Sequence, residues 1–142
     1  MATMRVQLRS IPDTEAAVGW AGAHTLVVDR PEGTAGGMGL GFNGGQLLAL
    51  AIGGCFCNDL RYVAHEMGIR LASLEVEVTV TFEHSPLIAT HARVRAEVAA
   101  DDKNADVAGL LRRAQETSTV GNSITRGIPV DFAVGPVAQG NR

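Results

Sequence analysis

Two cysteines separated by one residue, Cys55 and Cys57, are the side chains of this chain best suited to covalent chemistry. A thiolate is both a nucleophile and a metal ligand, and its environment decides which role, if either, it takes. Gly53-Gly54 precede Cys55 and permit close approach by another backbone or by a partner chain. Asn58 and Asp59 follow at i+3 and i+4, on the face of Cys55 if the segment is helical. Asp59 would oppose a thiolate unless a cation arrives from elsewhere, and Cys55 lies too deep in the helix to gain from its dipole. Cys57 points to another face, with Arg61 at i+4, and suits core or interface as well as reactivity. A free cysteine is also an ordinary small hydrophobe, so a packing role stays open for both. Helical positions i and i+2 diverge by about 200°. The pair therefore neither forms an easy disulfide nor converges two sulfurs on one ion. His24, His65, His84 and His91 are scattered, and no metal site is expected.

The element that must position these thiols is residues 45–68, the most apolar run of the chain. Leu47 to Ile52 carry no charge, and the second half is amphipathic, with Leu60 and Val63 against Asp59, Arg61 and Glu66. One long helix with a thiol in its buried middle is predicted. Before it, residues 4–11 read as an edge strand, 15–22 as a short strand or turn around Trp20, and 24–29 as a strand ended by Pro31. Residues 33–45 hold seven glycines in thirteen positions. No Gly-Lys-Ser/Thr and no G-x-G-x-x-G between strand and helix accompanies them, so a flexible approach to the helix is expected, not a phosphate cradle.

After the helix, 73–82 alternates Leu74, Val76, Val78, Val80 and Phe82 with Glu75, Glu77, Thr79 and Thr81. Residues 90–98 alternate in the same way, placing His91, Arg93, Arg95 and Glu97 on the wet side. An antiparallel hairpin follows, its acidic pair near its basic pair, with helices on one face only. Asp101-Asp102 would cap a helix over 103–118 with Val107, Leu110, Leu111 and Ala114 buried and Ser118 extending the stripe. Gly121 and Gly127 bracket a turn region, and 128–134 reads as a final strand. The order of elements is that of a single α+β domain over residues 1–142.

Composition narrows the function. Of 142 residues, 46% are apolar and only 4% aromatic, so aliphatic side chains must fill a sizeable core. The net charge is −3 and no block of Lys or Arg exists, which argues against a nucleic-acid partner. Residues 1–11 lack the apolar stretch of a signal peptide, and the long helix is too charged in its second half to span a bilayer. A cytoplasmic, reduced protein without a membrane partner is expected, and no cofactor is implied.

Residues 43–56, Asn-Gly-Gly-Gln-Leu-Leu-Ala-Leu-Ala-Ile-Gly-Gly-Cys-Phe, resemble the signature helix of the OsmC/Ohr family, typified by Asn-Pro-Glu-Gln/Glu-Leu-Leu…Ala-Cys-Phe. Residues 117–124, Thr-Ser-Thr-Val-Gly-Asn-Ser-Ile, then Arg126-Gly-Ile-Pro-Val130, resemble its second motif, Cys-Pro-Val-Ser-Asn-Ser/Thr-Leu. The resemblance spans roughly residues 20 to 135. It implies antiparallel sheets with two main helices in an intertwined homodimer, with thiol sites at the subunit interface. It further implies a peroxidatic thiolate that attacks an organic hydroperoxide, a resolving cysteine, and an arginine and glutamate that hold the thiol ionised.

Carried over, Cys55 falls on the peroxidatic cysteine, Gly45 on the glutamate and Ser118 on the resolving cysteine, with Thr119 for the following proline. Trp20 stands near the place of the arginine, with Arg9 and Arg30 the nearest substitutes. A serine cannot form a disulfide, so the two-cysteine cycle is not expected to run. Two functions follow. One is a thiol-dependent peroxidase using Cys55, with Cys57, Asp59, Ser118 and Arg30 as secondary candidates and an external thiol as reductant, serving an oxidative-stress response. The other is a non-enzymatic dimer that binds a small apolar ligand at its interface.

Overall fold

The computed structural model describes residues 1–138. Three short strands, β1 (Gln7–Ser10), β2 (Ala17–Ala21) and β3 (His24–Val28), form an antiparallel sheet in the order β1-β2-β3. Then come α1 (Gly44–Glu66), the hairpin β4 (Leu71–Glu83) and β5 (Ile88–Ala100), α2 (Val107–Thr117) and α3 (Thr119–Arg126). The fold is α+β, as the order of sequence patterns requires.

α1 begins at a capping box. The Asn43 side chain accepts from the Gln46 N–H at 2.9 Å, and the Gln46 side chain accepts from the Asn43 N–H at 3.0 Å. Two of the helix's orphan donors or their neighbours are thereby satisfied reciprocally. The helix then lies along β4. A Cβ on Gly53 would meet Val78 Cγ2 at 2.9 Å, and one on Gly45 would meet Phe82 Cζ at 3.0 Å. Eight helical residues rise about 12 Å and four strand residues about 13 Å, so the two contacts keep step along antiparallel axes. Glycine at both points lets helix and strand approach closely.

The core forms where α1 meets α2 and the hairpin: Phe56, Leu60, Val63, Ala64, Leu110 and Ala114, flanked by Leu74, Val76 and Val98. The β4–β5 register places Glu77 opposite Arg95, as charge complementarity suggests, but Glu75 opposite Glu97 and Thr79 opposite Arg93. The facing charges remain solvated and form no ion pair among the described residues.

Four local expectations give way. The second helix begins at Val107, not Lys103, because Asp106 is its cap and accepts from the Gly109 N–H at 2.9 Å. Asp102 is spent on a turn, accepting from the Asn104 N–H. The region between Gly121 and Gly127 is the helix α3, with Gly127 closing it at φ 78°. Residues 128–134 are not a strand: they lack a hydrogen-bonded neighbour within one subunit, and Ile128, Val130, Phe132 and Val134 are exposed. That segment leads to Ala138, whose carbonyl accepts from the side chains of Arg5 and Gln7.

The glycine-rich segment is not a flexible approach either. Asp29, its side chain 1% exposed, accepts from the N–H groups of Arg30, Met38 and Leu40. Its own N–H donates to the Phe42 carbonyl, and the Phe42 N–H donates to that of Val27. One buried carboxylate thus folds the loop back onto β3 and delivers Asn43 to the start of α1.

Candidate functional site

At about 100° per residue, the buried positions Ile52, Phe56, Asp59, Leu60, Val63 and Ala64 define one face of α1. Cys55 and Cys57 flank that face on opposite edges, and both are free and half-buried. The thiol expected in a buried middle is thus at the margin of the core, because the helix turns it away from β4 and α2. Cys55 Sγ donates to Asp59 Oδ2 at 3.5 Å, across one turn. Asp59 is itself 9% exposed, and Cys55 is its side chain's hydrogen-bond partner among the described residues. The i, i+4 relation seen in the sequence is therefore a contact.

The other candidates are placed elsewhere. Arg30 belongs to the N-terminal sheet. Its Nη2 donates to the Glu15 carbonyl at 2.7 Å and to Asp29 Oδ1 at 3.3 Å, and its buried Nε finds no partner in the described structure. The strands of that sheet make no extensive packing against α1, so within one subunit Arg30 is committed to Asp29 and Glu15 and makes no hydrogen bond to Cys55. The N–H of Leu40 chiefly, then those of Met38 and Arg30 and the Arg30 charge, hold the Asp29 carboxyl below its ordinary 3.8, against burial that pushes the other way. Arg9 lies over the Trp20 ring, 5.7 Å from its centroid, in the same sheet.

Ser118 is 7% exposed at the junction of α2 and α3, where α3 packs on α1. Its side chain does not cap α3. Gly45 stands against the Phe82 ring, so the space a side chain would take there is already aromatic. Cys57 forms no disulfide with Cys55. Among the described residues no group of three His, Cys, Asp or Glu side chains is arranged to hold a metal ion.

Sequence reasoning missed Asp29 as the organiser of the loop. The signal available was an aspartate directly after a strand and ahead of a glycine run, a setting that supplies free N–H groups to a short acceptor. It also passed over the Asn43…Gln46 spacing of the capping box.

With this geometry in place, comparison with known proteins defines the class. A family model described as OsmC-like protein matches residues 36–133, and the chain belongs to that family. No curated protein matches it. Among solved structures, it is similar to an OsmC-like protein from Mycoplasma pneumoniae, with TM-score 0.73 and 14% identity over 87% of this chain and 88% of that one. An organic hydroperoxide resistance protein OsmC from Legionella pneumophila aligns with TM-score 0.62 and 22% identity, over 87% and 90% of the two chains. The organic hydroperoxide resistance protein OhrB of Bacillus subtilis aligns with TM-score 0.57 and 24% identity, over 89% and 92%. At these identities the likeness is one of fold.

α1 is, among the described residues, the one helix long and apolar enough to cross a membrane by composition. Its packed face, with buried Asp59 and contacts to β4, α2 and α3, makes it a core helix of the domain.

Proposed function

We propose that this chain is a homodimeric thiol peroxidase that reduces organic hydroperoxides at Cys55, with a small external thiol as reductant. The observation that carries the reading is Cys55 itself: a free, partly accessible thiol at the family's thiol position, hydrogen-bonded to a buried carboxylate. The hydroperoxide-resistance names of two structural neighbours support the substrate class. Sulfur attacks the terminal peroxide oxygen, leaving a sulfenic acid and an alcohol. With serine at position 118, a first small thiol condenses with the sulfenic acid and releases water, and a second frees Cys55 as the small thiols form a disulfide. Two free cysteines suit a reducing compartment, and we assign the protein to the cytoplasm.

The dimer is supported by surface area. A folded monomer of 14.9 kDa exposes about 7,000 Å², whereas this subunit exposes 10959 Å². The excess of about 3,900 Å² per subunit is several times the roughly 800 Å² that each partner hides in a standard interface, which leaves ample surface for a large dimer interface. The solvent-facing stripe of α1 carries Leu50 and Tyr62, and the unpaired segment 128–134 adds Val130 and Phe132. A second copy covering these surfaces would also enclose Cys55.

One equivalent of cumene hydroperoxide should give a dimedone adduct on Cys55, read by mass spectrometry. The absence of an adduct, with both thiols still free, would exclude the peroxidase. The packing of Gly45 on Phe82 favours a second reading, in which the dimer binds an apolar ligand without chemistry. Under it, Cys55→Ser leaves stability and ligand binding unchanged.

A further inference from the structure

We propose that Asp59 is a catalytic residue of this site: the proton acceptor for the Cys55 thiol and the proton donor to the leaving alkoxide. The inference rests on Cys55 as the reacting thiol. Three features of the geometry carry it.

First, the contact is direct. Cys55 Sγ lies 3.5 Å from Asp59 Oδ2, with the thiol as donor, so a proton acceptor touches the reacting atom. Second, Asp59 is nine-tenths buried and forms no ion pair among the described residues. A buried carboxylate kept for structure ordinarily gathers several donors, as Asp29 does from three backbone N–H groups and a guanidinium. Asp59 has the thiol alone among the described side chains and backbone groups, a weak donor, and its second oxygen keeps contact with solvent. Third, among the described residues of one subunit, no cation forms a hydrogen bond or ion pair with the thiol. Arg30 is engaged by Asp29 and Glu15, and Arg9 by Trp20. A fixed thiolate next to a carboxylate is electrostatically opposed. A thiol that loses its proton to that carboxylate only as the new bond forms avoids the opposed state.

The step balances. Sγ attacks the terminal oxygen of R–O–O–H while its proton passes to Asp59 Oδ2. The S–O bond forms, the O–O bond breaks, and the electron pair leaves on RO⁻. The Asp59 carboxylic acid then gives that proton to RO⁻, which departs as ROH. Sulfur is oxidised to the sulfenic acid, the peroxide is reduced to the alcohol, and Asp59 returns to a carboxylate.

The test compares wild type, Asp59→Asn and Asp59→Glu, each carrying Cys57→Ser, at neutral pH. The readouts are the rate of Cys55 sulfenic acid formation with cumene hydroperoxide and the rate of Cys55 alkylation by iodoacetamide. Positioned general bases contribute at least about 100-fold, so Asp59→Asn should slow sulfenic acid formation by that order and slow alkylation in the same direction. Asp59→Glu, which keeps a carboxylate, should recover most of both rates. An Asp59→Asn rate equal to or above wild type would overturn the proposal, because the carboxylate would then merely oppose the thiolate. A glutamate variant as slow as the asparagine variant would overturn it as well. Since iodoacetamide needs no peroxide, the alkylation comparison decides the role of Asp59 even in a protein that fails to react with hydroperoxides.

Discussion

The body built from α1, the β4–β5 hairpin, α2 and α3 closes on Leu60 and Leu110, both fully buried, whereas the β1–β3 sheet leaves Leu8 54% and Leu26 39% exposed. The first region is held by apolar packing between distant elements. The second is held by its own backbone ladders, and the loop that follows it, fourteen positions from 29 to 42, by hydrogen bonds gathered on one carboxylate, Asp29. The contrast teaches how this chain divides its labour. The body can form from one copy, because α1, α2 and β4 supply each other's apolar faces. The sheet is hydrogen-bonded within itself yet has little of its own chain to cover it. The candidate thiol sits on α1 at the margin between buried and exposed faces, the side that the proposed dimer would cover.

Three substitutions sharpen this contrast, in falling order of effect. Leu60→Ala removes a side chain with no exposure from the centre of the body and should cost about 2–5 kcal/mol in chemical denaturation. A loss below about 1 kcal/mol would mean that the body is not the core of the fold. Asp29→Asn should lower the melting temperature by less, since it loosens the loop and leaves the body's packing intact. Its effect is pH-dependent with a defined sign. The folded carboxyl is held below 3.8, so its contribution is complete above that value and fades as the pH falls through the lower folded value. The gap between wild type and Asp29→Asn should therefore be constant near neutrality and shrink in acid. A gap that grows in acid would contradict the hydrogen-bonding role. Glu66→Ala removes the 3.0 Å pair with Arg113, which joins α1 to α2 at the surface. Both side chains are largely exposed, so the loss should stay within about 1 kcal/mol, and a larger one would show a body held by charge as well as by packing.

Much of the body was legible in the sequence, because its signals are periodic and local. The alternation of Leu74, Val76, Val78 and Val80 gives β4, and the stripe of Val107, Leu110, Leu111 and Ala114 gives α2. Start points were less legible, since Asp101, Asp102 and Asp106 are all competent caps and only packing selects Asp106. The glycine loop was opaque because its order comes from Asp29 reaching nine and eleven residues ahead. The segment 128–134 has a strand's alternation but no neighbour within one subunit, and a strand is defined by pairing. At the site, the spacing from Cys55 to Asp59 placed both on one face correctly. The burial that sets Asp59 apart from an ordinary surface carboxylate depends on α1's packing, which spacing alone does not fix.

In the proposed function one thiol, Cys55, performs the chemistry without a second cysteine. Steady-state consumption of cumene hydroperoxide with a monothiol reductant, compared in Cys55→Ser and Cys57→Ser, tests it most directly. Cys57→Ser should turn over within about threefold of wild type, since no disulfide joins the two thiols, and Cys55→Ser should fall to the uncatalysed rate. Turnover that survives in Cys55→Ser, or is lost in Cys57→Ser, would contradict it.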